Sequence, residues 1–135
     1  MRVALKIALM AFALAGCGAA VGHHSFAVHY IPEKIIEMSG TVTEFRFRNP
    51  HGLVIFEVRA ADGTRAEWRA ETNSPNILRR RGWAPDSIKP GDRITVEGYP
   101  ARDGSNMMRV YRIRFADGRE LVGQRPTTGV ADSED

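Results

Sequence analysis

Apolar and polar residues alternate along most of this chain in short runs broken by glycine, proline and aspartate, the pattern of β-strands joined by tight turns. Ile35 to Arg48 is the first such run. By period two, Thr41, Thr43, Phe45 and Phe47 share one face and Val42, Glu44, Arg46 and Arg48 the other, and Gly40 marks a bend or bulge. Asn49-Pro50-His51-Gly52 is a turn by composition. Leu53 to Ala60 is a second strand, and Arg65 to Ala70, carrying Trp68, is a third. Asp62-Gly63 between them supplies the positive φ of a tight hairpin. Ser74 and Pro75 open a short helix, with Arg79, Arg80 and Arg81 in its last turn and Gly82 as its stop. Lys89-Pro90-Gly91-Asp92 turns the chain into a fourth strand, Arg93 to Gly98. Met107 to Phe115 is the fifth, with Tyr111, Ile113 and Phe115 opposite Val110, Arg112 and Arg114. Ala116-Asp117-Gly118-Arg119 leads toward Glu120 to Val122.

The order strand-strand-strand-helix-strand-strand predicts an all-β fold with one short helix. The expected form is a five-stranded OB-like antiparallel barrel, with the helix plugging one end between strands three and four. A five-stranded open antiparallel sheet with one helix is the alternative. This β domain spans 35–123, an extended arm occupies 23–34, and the acidic, aperiodic segment 124–135 reads as a disordered tail.

One apolar run breaks the alternation. Arg2 and Lys6 precede an uninterrupted apolar stretch from Ile7 to Ala15, and small residues follow it, so 1–22 reads as a signal peptide. Leu14-Ala15-Gly16-Cys17 has the form of a bacterial lipobox, in which Cys17 would be lipidated and become the first residue. Ordinary cleavage between Gly18 and His23 is the competing reading. Both lead to the envelope of a Gram-negative bacterium, in the periplasm or tethered to a membrane only through an acyl chain on Cys17.

Composition alters this picture in two ways. The chain has 135 residues, one domain's worth, and a single cysteine, which excludes a disulfide framework. Its net charge of +3 comes from 19 basic residues against 16 acidic ones, but Arg2 and Lys6 leave with the leader. The near-neutral remainder does not argue for nucleic acid, and none is expected as a partner.

Several segments together resemble a known family. These are His23-His24-Ser25-Phe26, Gly40-Thr41-Val42, Asn49-Pro50-His51, Trp68, Glu71, Pro75-Asn76-Ile77-Leu78, Arg80-Arg81-Gly82-Trp83, Lys89-Pro90-Gly91-Asp92, Gly98 and Asp103-Gly104-Ser105. The chain is similar in these to small exported bacterial proteins known as domain-of-unknown-function family 6152. The resemblance covers residues 23 to 122 and implies an exported OB-like module with no established activity. Members usually carry Ala-x-Ala directly before His-His, whereas Ala20-Val21-Gly22 stands there in this chain.

The candidate chemistry is of two kinds. All four histidines, His23, His24, His29 and His51, precede the second strand, and neutral imidazole is a metal ligand suited to copper or zinc. Arg46, Arg48, Arg112 and Arg114, with Trp68 and Glu71, are candidates for a groove that takes a small anionic ligand, since guanidinium binds carboxylate and phosphate through paired hydrogen bonds. Trp68 and Trp83 suit the core. No serine sits in a nucleophile elbow, no phosphate-binding loop occurs, and His51 with Glu71 is the only imaginable acid–base pair. The expectation is a non-enzymatic binding or accessory module that serves an envelope protein or a small anionic ligand, with metal binding through the histidine arm as the alternative.

Overall fold

A computed structural model of the chain describes residues 25–123. Six strands form in it, β1 (Ile36–Arg46), β2 (Leu53–Arg59), β3 (Arg65–Glu71), β4 (Arg93–Pro100), β5 (Met107–Phe115) and β6 (Glu120–Val122). The helices are α1 (Ser25–His29) and α2 (Pro75–Arg80). The strand order is β3-β2-β1-β4-β5-β6, and an additional pairing of β3 with β5 closes the first five into a barrel. The alternating pattern therefore folds into the OB-like barrel and not into the open sheet.

The barrel is mixed, whereas an antiparallel one was expected. Parity is the reason. In a closed ring of five strands the direction cannot reverse at every neighbour, so one pair must be parallel. That pair is β3 with β5, where Arg69, Ala70 and Glu71 stand against Met107, Met108 and Arg109. A parallel pair needs a crossover between its strands. The crossover here runs through α2 and β4. β6 lies outside the barrel, pairing with β5 at Arg112 to Arg114, so β3 and β6 occupy successive stretches of the same β5 edge.

Two bulges correct the strict period-two reading. Val42 pairs with Phe56 and Glu44 with Ile55, which leaves Thr43 as an extra residue. Val42 and Phe45 consequently both turn inward, although alternation had put them on opposite faces. On β5, Glu97 opposite Arg112 and Gly98 opposite Val110 leave Tyr111 extra, so Val110 shares the core with Ile113 and Phe115. Gly40 is not the bulge. A Cβ there would run into the Glu57 carbonyl and the Phe56 ring, so the glycine permits close approach of β1 to β2.

Leu78 of α2, Trp83 and Ile88 are buried in the same core as Val54, Phe56, Val96 and Met108, so the α2 segment caps the barrel. Trp83 also donates Nε1–H to the Val122 carbonyl at 3.0 Å, which ties β6 to the cap. Trp68 is half-buried at the core margin. Within the expected extended arm, Ser25–His29 instead form α1, and Tyr30 bridges to Ala101. Among the described residues no helix is long and apolar enough to cross a membrane. The expected leader and tail lie outside the described residues.

Candidate functional site

The β1–β2 turn is clamped onto the end of β3. The Gly52 N–H donates to the Asn73 carbonyl at 3.2 Å, and the Thr72 N–H donates to the Gly52 carbonyl at 2.9 Å. The contact requires a glycine, because a Cβ at position 52 would lie 2.5 Å from Thr72 Oγ1. This pairing brings His51 beside Glu71, two residues separated by most of two strands in the sequence.

The parallel pairing of β3 and β5 adds Arg109, which stands opposite Glu71. α1 contributes the fourth member. The Phe26 ring packs edge-on against Tyr99 at 5.2 Å and tilts against Tyr30 at 5.6 Å. The Tyr30 N–H closes the helix onto the Phe26 carbonyl, and the Arg102 N–H donates to the His29 carbonyl, each at 2.8 Å. Tyr30 is thereby buried with its hydroxyl directed at Glu71.

One carboxylate meets all three side chains, two of them as hydrogen-bond donors. Glu71 Oε1 accepts from Arg109 Nη1 at 2.5 Å and contacts His51 Nδ1 at 2.6 Å, and Oε2 accepts from the Tyr30 hydroxyl at 2.8 Å. The Glu71 and Arg109 side chains are only 19% and 11% exposed, so the pair is largely desolvated, while His51 is half-exposed. Burial, and then the hydrogen bond to the Glu71 carboxylate, push the Tyr30 phenol well above the usual tyrosine range. Among the described residues, buried Arg109 Nε has no hydrogen-bond partner.

These groups line a cleft of about 460 Å³ between α1 and the barrel. Phe26 and His29 form one wall, Ala101, Asp103 and Ser105 of the β4–β5 connection with Met107 at the start of β5 the other, and Tyr30, His51, Glu71 and Arg109 the floor. Asp103 accepts from the Ser105 hydroxyl at 2.6 Å and from its N–H at 2.9 Å, so this turn is held from within. Chemically, the Glu71 carboxylate occupies the Nδ1 side of the His51 ring at 2.6 Å and leaves Nε2 on the far side of the ring. That is the orientation a metal-ligating or hydrogen-bond-accepting histidine takes.

The sequence-derived candidates divide between locations. His29 and His51 meet in the cleft with Glu71, while His23, His24 and Cys17 lie outside the described residues. Among the described residues no three of His, Cys, Asp and Glu are grouped so as to hold a metal. The six groove candidates do not share one cavity. Arg46 is bound by Glu44 through two bonds of 2.5 and 2.8 Å. Arg112 pairs with Glu97 at 2.9 Å, and Arg114 with Glu37 at 2.5 Å and Glu97 at 3.1 Å. Arg48 is exposed, Trp68 faces the core margin, and only Glu71 reaches the cleft. The pairing of Arg112 and Arg114 with Glu97 and Glu37 follows from the β4–β5 and β1–β4 registers, which set acids beside these arginines.

Sequence reasoning missed Tyr30 and Arg109. Arg109 did leave a signal, as a charged residue inside the apolar run Met107-Met108-Arg109-Val110. A charge placed there needs a buried partner.

A family model described as "Family of unknown function (DUF6152)" matches residues 11–109, a stretch that contains Tyr30, His51, Glu71 and Arg109. No curated protein matches the chain.

Proposed function

Because the chain belongs to the DUF6152 family, whose function is unknown, its role has to be read from its own residues, and we propose that it is an exported, non-enzymatic binding module whose ligand enters the cleft beside α1. The observation that carries this reading is the Glu71 hub. A carboxylate that accepts from α1's C-terminal neighbour Tyr30 and from Arg109 of β5, and contacts His51 of the β1–β2 turn, fixes the floor of an open cleft. Such pre-organisation favours recognition, since the polar groups do not have to be ordered when a ligand arrives. Export is supported by the charged start, apolar stretch and small residues of the leader, and tethering by Cys17 in its lipobox setting. A ligand-observed NMR screen of small polar compounds against the full chain tests the module. Hits should bind the wild type and be lost in His51→Ala and Glu71→Gln. Hits unaffected by both changes, or turned over by the wild type, count against it.

A second reading, copper or zinc binding, is favoured by one observation. His51 Nδ1 lies 2.6 Å from a carboxylate oxygen with Nε2 on the far side of the ring, and His29 lines the same cleft just downstream of His23 and His24 in the sequence. Calorimetric titration with Cu(II) and Zn(II) on correctly processed protein should give uptake that weakens at least tenfold in His51→Ala. No uptake at micromolar metal ends this reading.

A further inference from the structure

A polar groove of about 570 Å³ lies on the barrel wall away from the cleft, across the middle of β1 and the adjoining ends of β2, β4 and β5. The strand registers order its residues in rows. Thr41 stands between Glu57 and Arg93. One step along the same face, Ser39 stands opposite Thr95, and Thr95 opposite Arg114. Arg59, two residues beyond Glu57 on β2, emerges on that face as well.

Charge in the groove is unevenly compensated. Arg114 is held by Glu37 and Glu97, and Glu57 is paired with Arg65 at 3.2 Å. The exposed guanidinium groups of Arg59 and Arg93 have no ion pair or hydrogen bond among the described residues. Between them, Ser39 Oγ and Thr95 Oγ1 lie 2.9 Å apart. Only one hydroxyl proton can sit in that bond, so the other is free for an incoming oxygen.

The geometry points to this groove as a binding site for a phosphate ester. Two uncompensated guanidinium groups match the charge of about −1.5 to −2 that a phosphate monoester carries near neutrality. A carboxylate, singly charged, would leave one of them unmatched. They stand diagonally across β1, Arg93 in the Thr41 row and Arg59 in the Ser39 row, roughly 12 Å apart at the backbone by strand spacing and rise, a gap that two long forked side chains can close around one tetrahedral anion. The Ser39–Thr95 pair supplies a donor from below. The phosphate can come from a soluble monoester or from a lipid whose headgroup is a terminal phosphate, and the site is independent of the cleft ligand.

The test uses the full chain at low salt with two probes, glycerol phosphate followed by NMR and sedimentation with vesicles of phosphatidic acid in phosphatidylcholine against pure phosphatidylcholine vesicles. Saturable binding of glycerol phosphate assigns a soluble monoester, and binding to the phosphatidic acid vesicles alone assigns the headgroup. In either case the Arg59→Gln/Arg93→Gln double variant should weaken binding at least tenfold, while Arg80→Gln, an exposed arginine away from the groove, changes it less than twofold. Ser39→Ala/Thr95→Val keeps both charges and should weaken binding severalfold, which separates a shaped site from diffuse attraction. Unchanged melting temperatures establish that the variants fold. Binding to neither probe, or equal loss in Arg80→Gln and the double variant, overturns the proposal.

Discussion

Glu71 and Arg109 stand opposite each other in the one parallel pairing of the barrel, and their side chains meet at 2.5 Å. The contact that closes the sheet therefore also builds the floor of the cleft. Removing the carboxylate leaves a largely buried guanidinium without its counter-charge. Glu71→Ala is expected to cost about 3 kcal/mol, within the range for breaking one side of a buried pair. Glu71→Gln keeps an acceptor and should cost less. Urea unfolding with unchanged m-values measures both, and a loss under about 0.5 kcal/mol for Glu71→Ala would place the pair among ordinary surface changes.

Much of the barrel was legible because its signals are local. Asp62-Gly63 and Asp117-Gly118 turn with positive φ at Gly63 and Gly118, and Pro75 opens α2 as its composition suggests. What the sequence concealed is non-local. The bulges at Thr43 and Tyr111 depend on how neighbouring strands share hydrogen bonds, and they invert the faces that alternation assigns to the residues beyond them. The parallel β3–β5 pair follows from ring parity, but only once closure is known. The cleft was half visible. His51 and Glu71 were both singled out, yet nothing near either residue announces the Gly52–Thr72 clamp that joins them. Arg46, Arg112 and Arg114 looked available because their acidic partners come from across strands or from a non-adjacent position on the same strand.

The clamp itself gives a sharp test. Gly52→Ala would set a Cβ 2.5 Å from Thr72 Oγ1, and overpacking at such a site costs about 1–3 kcal/mol. The same displacement should pull His51 from Glu71, visible as a change in the imidazole nitrogen shifts. Thr72→Ala removes the obstructing oxygen. The Gly52→Ala/Thr72→Ala double variant should then recover more stability than the sum of the single changes predicts. Strict additivity would mean that the two positions do not touch.

The Asp103 turn at the cleft rim predicts an acid-side effect. Hydrogen bonds from the Ser105 hydroxyl and N–H hold the Asp103 carboxyl below the usual aspartate range. A carboxyl lowered in the folded state contributes stability above its unfolded value, near pH 4, and that contribution is lost as pH falls through the folded value. Ser105→Ala removes the larger cause, so the Asp103 carboxyl carbon should titrate at higher pH in that variant. An unmoved titration curve would show that the serine hydroxyl does not hold the carboxylate.

Tyr30 makes the alkaline counterpart. Its phenol is raised above the ordinary value of about 10 by burial first and by the Glu71 bond second, and Tyr99 is raised by burial as well. Below pH 10 the phenol is protonated in both the folded and the unfolded chain, so its contribution is fully present. Above pH 10 the unfolded chain releases the proton while the folded chain keeps it. Stability must then fall with rising pH until the folded value is passed. Tyr30→Phe should cost about 1.5–3 kcal/mol at pH 7 for the lost bond to a charged acceptor. It should also flatten the decline between pH 10 and 11.5, leaving the smaller share due to Tyr99. Urea midpoints across that range, read beside phenolate absorbance, follow both effects. Wild-type and Tyr30→Phe curves that fall in parallel would mean that the Tyr30 proton is not what the folded cleft retains.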